Sequence, residues 1–235
     1  MPDLLDRYPR TAGTYHELLD DSGEVRPHWR RLFDQLQRST PVQLVQRQAL
    51  LARQIQENGV TYNVYADPKG ADRPWELDLL PHVIAADEWQ HLSAGIAQRA
   101  RLLNAVLADL YGPQRLIREG LLPAELVFGH NNFLWPCQGI APPEEAFLHL
   151  YAVDLARTPD GRWWVTADRT QAPSGAGYAL ENRTIVSRAF PELYRDLKVQ
   201  HLAGFFRTLQ ETLARQAPCA DDAPLVVLLT PGRSN

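Results

Sequence analysis

The sequence predicts an α+β protein in which N-terminal helices precede a mixed β-sheet with flanking helices. Apolar residues at steps of three and four predict helices over residues 27–58 and 86–110. An Asp-Gly pair between two apolar runs, at residues 160–161, predicts a β-hairpin. The continuous apolar run over residues 225–230 predicts a further, buried strand. These helical and strand patterns together predict the α+β class.

The first helical stretch is predicted to be two helices, because Ser39-Thr40-Pro41 interrupts the apolar period. Thr40 has the side chain of an N-cap, and proline at the next position is favoured in the first helical turn. Val60–Tyr65 is rich in β-branched and aromatic residues and predicts a strand. The chain is therefore divided into residues 1–58, an arm with helices, and residues 59–235, an α+β domain.

The later elements follow from local runs and turn residues. Residues 98–110 continue a long amphipathic helix that begins at Ala86, and the chain becomes strand-like from Leu126. The remaining predicted elements are hairpin strands in 147–155 and 163–168, a loop over 171–177, a short strand over 183–186 and one helix over 191–215.

The apolar run at residues 225–230 is followed by five residues only. A strand buried on both faces of a parallel sheet normally leads into a helix that covers the sheet. One hypothesis is therefore that the chain is truncated within a βα unit, or that another chain supplies the rest. The alternative is a central strand with a short polar tail.

Composition excludes several classes of protein. The formal net charge of −4 offers no basic excess for nucleic-acid binding. No apolar run approaches the roughly 18 residues that a membrane span needs, and the N-terminus has no signal-peptide pattern. Cys137 and Cys219 are far apart, which speaks against zinc or a disulfide framework and favours a reducing cytoplasm.

Carboxylates mark both strands of the predicted hairpin. Asp154 lies on the first strand and Asp168 ends the second, and carboxylates on adjacent strands can share a hard cation such as Mg²⁺. Either acid can instead be structural, paired with an arginine or accepting hydrogen bonds from a turn. Arg99 and Arg101, on the long helix, are expected to be surface or packing residues.

A small-residue loop and a polar stretch follow the hairpin. Backbone N–H groups of the Ser174-Gly175 loop can approach phosphate or carboxylate oxygens, since glycine permits close approach. Arg169 or Arg183 can clamp an anionic substrate through two parallel hydrogen bonds. Glu181 and its neighbours can equally form a solvated edge, but the concentration of such residues within about thirty positions favours a functional site.

Five ordered stretches carry a family resemblance: GVTYNVY (59–65), RPWELDLLPHVI (73–84), QRARLLNAVLADLYG (98–112), DLARTPDGRWWV (154–165) and APSGAGYALENR (172–183). Together they resemble the circularly permuted type 2 ATP-grasp proteins, which are related to glutathionylspermidine synthase. The resemblance covers most of residues 15–232. Five motifs in order are far more specific than any one of them.

The resemblance implies part of a permuted ATP-grasp fold and an ATP- and Mg²⁺-dependent carboxylate–amine ligase with an acyl-phosphate intermediate. It implies small-molecule or peptide carboxylate and amine substrates, a helical partner domain or protein in some members, and a cytoplasmic location. The implied roles are catalysis for Arg169 and Arg183, substrate or phosphate binding for Ser174, Gly175, Tyr178, Glu181 and Asn182, and metal binding for Asp154 and Asp168.

Two departures from the family pattern put catalysis by this chain in doubt. Ala167 stands where many members have a glutamate ligand, and Arg169 stands where they have asparagine. A permanent positive charge at Arg169 can replace one cation or bind the acidic substrate. Family members also continue well beyond the Leu-Leu-Thr-Pro-Gly stretch that ends at Gly232. The chain is therefore expected to be truncated and inactive alone, the alternative being a non-catalytic binding or assembly module.

Overall fold

The computed structural model describes residue 5 and residues 8–61, 74–218 and 224–229. Three parts of the sequence discussed above lie outside these ranges: most of the predicted strand Val60–Tyr65, Cys219, and residues 230–235. Packing divides the chain into two compact units: unit 1 contains residues 1–10, 16–83 and 175–235, and unit 2 contains residues 11–15 and 84–174. This partition differs from the sequence-based boundary at residue 58, which stays a prediction.

Unit 1 opens with the two helices that the sequence predicts. Helix α1 spans Arg30–Arg38 and helix α2 spans Pro41–Glu57. The hydroxyl of Thr40 accepts a hydrogen bond from the Gln43 backbone N–H at 3.2 Å, and the Gln43 side chain accepts one from the Thr40 N–H at 2.8 Å. This capping box satisfies two N–H groups that the helix itself cannot pair, so the predicted cap is confirmed.

Three further helices complete the described part of unit 1. They are α6 (Ala176–Ala189), α7 (Pro191–Asp196) and α8 (Ala203–Arg215). The strand predicted over residues 183–186 is therefore wrong, because Ile185, Val186 and Ala189 recur at helical spacing and are buried together. The single helix predicted over residues 191–215 is two helices, interrupted where Lys198 adopts a left-handed conformation with φ 49°.

The core of unit 1 lies between α2 and the α6–α7 pair. Leu51 and Ile185 are fully buried, and Phe190, between α6 and α7, is 1% exposed. The same cluster contains Leu32, Ile55, Val186, Ala189 and Leu193. Burial of these side chains fixes which face of α6 turns inward and leaves its other face for polar contacts.

Unit 2 combines helices with the hairpin. Helix α3 spans Ala86–Leu110, α4 spans Arg115–Arg118 and α5 spans Ala124–Phe128. Strands β1 (Ala152–Arg157) and β2 (Trp163–Arg169) pair antiparallel. The α3 helix and the hairpin are confirmed, whereas the start of the strand-like region near residue 126 is helical. Together the units confirm the α+β class, and in the described part the sheet consists of this hairpin.

The apolar segment 224–229 does not form the predicted buried strand. It has no regular secondary structure, and the side chains of residues 225–229 are exposed, from 54% at Val226 to 94% at Leu229. A strand needs neighbouring strands for its backbone hydrogen bonds, and none of the described residues provides one for this segment. None of the helices in the described ranges is long and apolar enough to cross a membrane.

Candidate functional site

The turn of the hairpin is set by its sequence. Gly161 adopts φ 82°, a conformation that glycine takes at little cost. The Asp160 carboxylate accepts a hydrogen bond from the Thr158 hydroxyl and one from the Arg162 side-chain Nε at 2.7 Å. These contacts close the turn between the strands that carry the predicted acids.

The register of the hairpin decides which way the two aspartates face. Near the turn, Leu155 lies opposite Val165, but Asp154 lies opposite Ala167, so Thr166 forms a bulge. Without the bulge, Asp168 would lie opposite Ala152 and share a face with Asp154. With it, Asp168 lies opposite Val153, on the other face. A shift of one residue reverses the face of every following side chain, and here it separates the two carboxylates.

Asp168 is held by side chains of unit 2. The Arg99 guanidinium donates two hydrogen bonds, from Nε to Oδ1 at 2.6 Å and from Nη2 to Oδ2 at 2.7 Å. The Tyr151 hydroxyl donates a third hydrogen bond to Oδ1. The bonds from Arg99, then Tyr151, lower the pKa of Asp168 from 3.8 to about 2. Burial, followed by the bond to Asp168, raises the pKa of Tyr151 to about 12.

Asp154 is paired on the opposite face of the hairpin. Arg169 donates from Nη2 to Oδ2 at 2.6 Å and from Nε to both oxygens at 3.1 Å. These bonds lower the pKa of Asp154 and raise that of Arg169. Both side chains remain accessible, with 44% of Asp154 and 59% of Arg169 exposed. Arg169 thus places a fixed cation beside Asp154, which favours the sequence-based hypothesis that it replaces a metal ion.

The predicted joint metal site is therefore not assembled by this hairpin. Asp154 and Asp168 face opposite ways, and each is bonded to an arginine. Within the described ranges, no group of three or more His, Cys, Asp or Glu side chains could hold a metal ion. The register speaks against one shared cation, whereas the individual roles of the two aspartates stay predictions.

The small-residue loop joins β2 to α6. Ser174, in unit 2, is exposed. Gly175, in unit 1, adopts φ 109°, a conformation that other residues rarely take, and its carbonyl accepts the first hydrogen bond of α6 from Ala179. Glycine at this position lets the chain turn sharply into the helix. The loop thus ends at a helix N-terminus, as expected for a loop that binds anions, and that role stays a prediction.

Three predicted substrate-binding residues of α6 contact other parts of unit 1. Tyr178 stacks on Trp75 at 4.5 Å between ring centroids and donates its hydroxyl to the Thr61 carbonyl at 2.7 Å. Asn182 accepts a hydrogen bond from the Trp75 indole Nε1 at 2.8 Å. Glu181 accepts one from the Asn58 side chain. The polar face of α6 therefore holds residues 58–61 and 74–75 in place.

A groove lies beside these contacts in unit 1. Its volume is about 610 Å³, and it is lined by α2 residues between Gln48 and Gln56 and by residues 74–78. Trp75, which Tyr178 and Asn182 hold, forms part of its wall. The predicted residues thus shape this groove through Trp75.

Arg183 differs from the other predicted arginine. It is partly buried on α6, and burial lowers the pKa of its guanidinium. In the described part of the chain it makes no ion pair or hydrogen bond with a carboxylate, and its guanidinium carbon lies 5.8 Å from the Tyr194 ring centroid. Arg183 is therefore available to an anion, whereas Arg169 is engaged.

Sequence reasoning missed several partners of the predicted residues. Arg99 was expected to be a surface or packing residue, but it binds Asp168, and Tyr151 was not singled out. Trp75 and Asn58 also belong to the polar network of α6. The sequence carries little signal for these pairs, because the partners lie between 17 and 123 positions apart.

The helices of both units and the antiparallel hairpin of unit 2 define an α+β protein. The chain belongs to the circularly permuted ATP-grasp type 2 family, whose model matches residues 81–235. This match confirms the resemblance seen in the sequence motifs.

Related proteins extend the similarity to nearly the whole chain. "Uncharacterized protein Rv2567" of Mycobacterium tuberculosis is 41% identical over 237 residues, which cover 97% of this chain and 27% of the relative. "Uncharacterized protein sll0335" of Synechocystis is 37% identical over 221 residues, covering 94% of this chain and 46% of the relative. "Uncharacterized protein Rv2411c" of Mycobacterium tuberculosis is 34% identical over 224 residues, which cover 95% of this chain and 40% of the relative. The chain thus spans less than half of the length of these relatives.

Proposed function

We propose that this chain is the N-terminal part of an ATP-dependent carboxylate–amine ligase that works through an acyl-phosphate. Membership of the circularly permuted ATP-grasp type 2 family is the observation that carries the proposal. When bound, ATP would supply the γ-phosphoryl group that activates the carboxylate, and an amine would then displace phosphate. The substrates would be small-molecule or peptide acids and amines.

The roles of the chain's own residues follow from their contacts. Arg183, which has no carboxylate partner in the described part, would bind an anionic group of the substrate or nucleotide. Ser174 and Gly175 would offer loop hydroxyl and backbone N–H donors to phosphate oxygens. Tyr178 and Asn182 would act through Trp75, by fixing the wall of the groove.

Arg169 would supply positive charge where the family pattern has a metal ligand. Its bonds to Asp154 support this role, because a guanidinium held by a carboxylate is a fixed cation. Asp154 and Asp168 lie on opposite faces of the hairpin, so the two carboxylates do not fit a single magnesium ion bound by both. No step is therefore assigned to such an ion. Charge stabilisation by arginine is the role that the hairpin supports best.

Activity would belong to a longer polypeptide. The relatives named above extend well beyond the region that this chain matches, since it covers 27% and 46% of two of them. A cytoplasmic setting and a helical partner domain or protein complete the proposal.

The proposal is tested by titrating ATP and magnesium into two proteins, this chain and the same chain extended with the remaining part of the Synechocystis relative. The extended protein is expected to bind ATP, and hydroxylamine should trap an activated carboxylate from a suitable acid. Arg183→Gln should weaken binding or trapping, whereas the exposed Arg188→Gln on the same helix should change neither. If the extended protein binds no nucleotide, the ligase proposal is wrong.

A second candidate function is a non-catalytic binding or assembly module. The observation in its favour is that both hairpin aspartates are already bonded to arginines, Asp168 to Arg99 and Asp154 to Arg169. If the protein is such a module, the extended protein does not turn over ATP, and neither does its Arg169→Asn variant. Turnover that this substitution creates or abolishes would rule the module out.

A further inference from the structure

Two arginines of unit 1 lie over aromatic rings and have no carboxylate partner among the residues that the structure describes. The Arg47 guanidinium carbon, from α2, lies 4.6 Å from the Phe190 ring centroid, and that of Arg183, from α6, lies 5.8 Å from the Tyr194 centroid. Phe190 is the N-cap of α7, and the Tyr194 N–H donates to its carbonyl at 3.0 Å, so Tyr194 lies one helical turn after Phe190. The two cations therefore lie against rings that are four residues apart at the start of α7.

Arg157 shows a stacked guanidinium that is also neutralised by a carboxylate. Arg157, in unit 2, lies 4.0 Å from the Trp163 ring centroid, with only 8% of its side chain exposed. Its Nη1 atom is also 2.6 Å from the Glu88 carboxylate. Stacking and charge neutralisation thus occur together at Arg157, whereas Arg47 and Arg183 have the stacking without the neutralising carboxylate in the described structure.

Unpaired polar atoms accompany the two cations. The Nη1 atom of Arg47 and the hydroxyl of Tyr194 are buried and have no hydrogen-bond partner in the described ranges. A buried donor without a partner costs free energy, and a partly buried cation without a counter-charge costs more. Burial also lowers the pKa of Arg183, as expected of a guanidinium removed from water and from any anion. The arginine nitrogens can only donate and the Tyr194 hydroxyl can also donate, so a negatively charged acceptor would satisfy all of these groups.

We propose that Arg47, Arg183 and the Tyr194 hydroxyl bind an oxyanion, a phosphate or carboxylate group, at the junction of α2, α6 and α7. Guanidinium groups match such anions because their parallel N–H donors fit two oxygens at once. The phenol hydroxyl supplies a further donor. Arg183 is also the residue proposed above to bind an anionic group of the substrate or nucleotide, so this inference rests on that proposal and adds the groups around Arg183. Binding of a simple oxyanion at this site requires neither ATP nor magnesium.

The test measures anion affinity of the full chain by isothermal titration at constant ionic strength, with phosphate, pyrophosphate and succinate as separate probes. Preference for the phosphates or for succinate tells which oxyanion the site takes. Arg47→Gln and Arg183→Gln are each expected to weaken the preferred probe about tenfold or more, and Tyr194→Phe, which keeps the ring, should weaken it by a smaller factor. Arg53→Gln on α2 and Arg188→Gln on α6 remove exposed charges from the same helices and should change affinity less than about twofold.

Circular dichroism, recorded in the absence of added anion, tests whether each variant is folded. If Arg47→Gln is unfolded, Arg47→Lys replaces it, because lysine keeps the charge but loses the planar pair of donors. The proposal is overturned if none of the three probes binds the wild-type chain at millimolar concentration. It is also overturned if the control variants lose as much affinity as the site variants, or if only one of the two site arginines affects binding. ATP binding by the extended protein is a separate measurement, so the two proposals can fail independently.

Discussion

The contact between Trp75 and Asn182 gives a sharp test of what the polar face of α6 does. The indole Nε1 donates to the Asn182 Oδ1 at 2.8 Å, and both groups are partly buried in unit 1. Trp75→Phe keeps a ring against Tyr178 but removes the donor, and Asn182→Ala removes the acceptor. A double-mutant cycle with these substitutions isolates the hydrogen bond from the other effects of each change.

The expected magnitude follows from the type of bond. A neutral, well-formed hydrogen bond contributes about 0.5–1.5 kcal/mol net, because unfolding exchanges it for bonds to water. We therefore expect a coupling free energy of about 1 kcal/mol between Trp75 and Asn182. Each kilocalorie per mole corresponds to a shift of about 2–4 °C in the melting temperature of a chain of this size.

Urea denaturation, followed by circular dichroism at 222 nm, measures the four free energies of unfolding. The control is Trp164→Phe in the hairpin, since Trp164 is 58% exposed and its substitution should cost less than about 0.5 kcal/mol. Coupling between Trp164→Phe and Asn182→Ala should be close to zero. A Trp75–Asn182 coupling below about 0.3 kcal/mol would mean that Asn182 does not hold the wall of the groove.

Two further predictions concern unit 2. Hydrogen bonds, chiefly from Arg99, lower the pKa of Asp168 from 3.8 to about 2, so its carboxylate stabilises the fold above pH 4 and this contribution is lost as the pH falls through 2. Urea titrations at several pH values measure the difference in unfolding free energy between wild type and Asp168→Asn. This difference should be constant above pH 5 and shrink between pH 4 and 2. A difference that does not change with pH would contradict the prediction. Gly161→Ala should destabilise the protein by about 1–2 kcal/mol, because φ is 82° and the new Cβ would lie 2.7 Å from Tyr15. Gly177, on α6, has open space around it, so Gly177→Ala should leave the melting temperature unchanged or raise it. An equal loss of stability in both variants would show that the positive φ of Gly161 and the contact with Tyr15 do not explain the effect.

Helices and turns were largely predictable because their causes are local. The N-cap at Thr40 and the span of α3 are confirmed at the predicted positions. Helical hydrogen bonds join residues four apart, so periodicity and caps within one segment suffice. The short strand predicted over residues 183–186 failed because a β-branched run resembles a strand until the buried face of the whole of α6 is considered.

The candidate site depended on features that no local pattern reveals. The hairpin and its acids were visible in the sequence, but the bulge at Thr166 was not, and it reverses the face of Asp168 relative to Asp154. The partner of Asp168, Arg99, lies 69 positions away along the chain. Such pairings arise only when packing brings distant elements together.

The sequence by itself determined the α+β class, the family, the helices α1 to α3, the hairpin turn and the residue types that carry charge. Tertiary structure alone decided which arginine neutralises which aspartate, and which arginines, Arg47 and Arg183, are left without a carboxylate in the described part. Among the described residues, it provided no strand partner for residues 224–229. The physical reason is that helices and turns satisfy their hydrogen bonds within one segment, whereas sheet register, ion pairing and burial require contacts between segments distant in sequence.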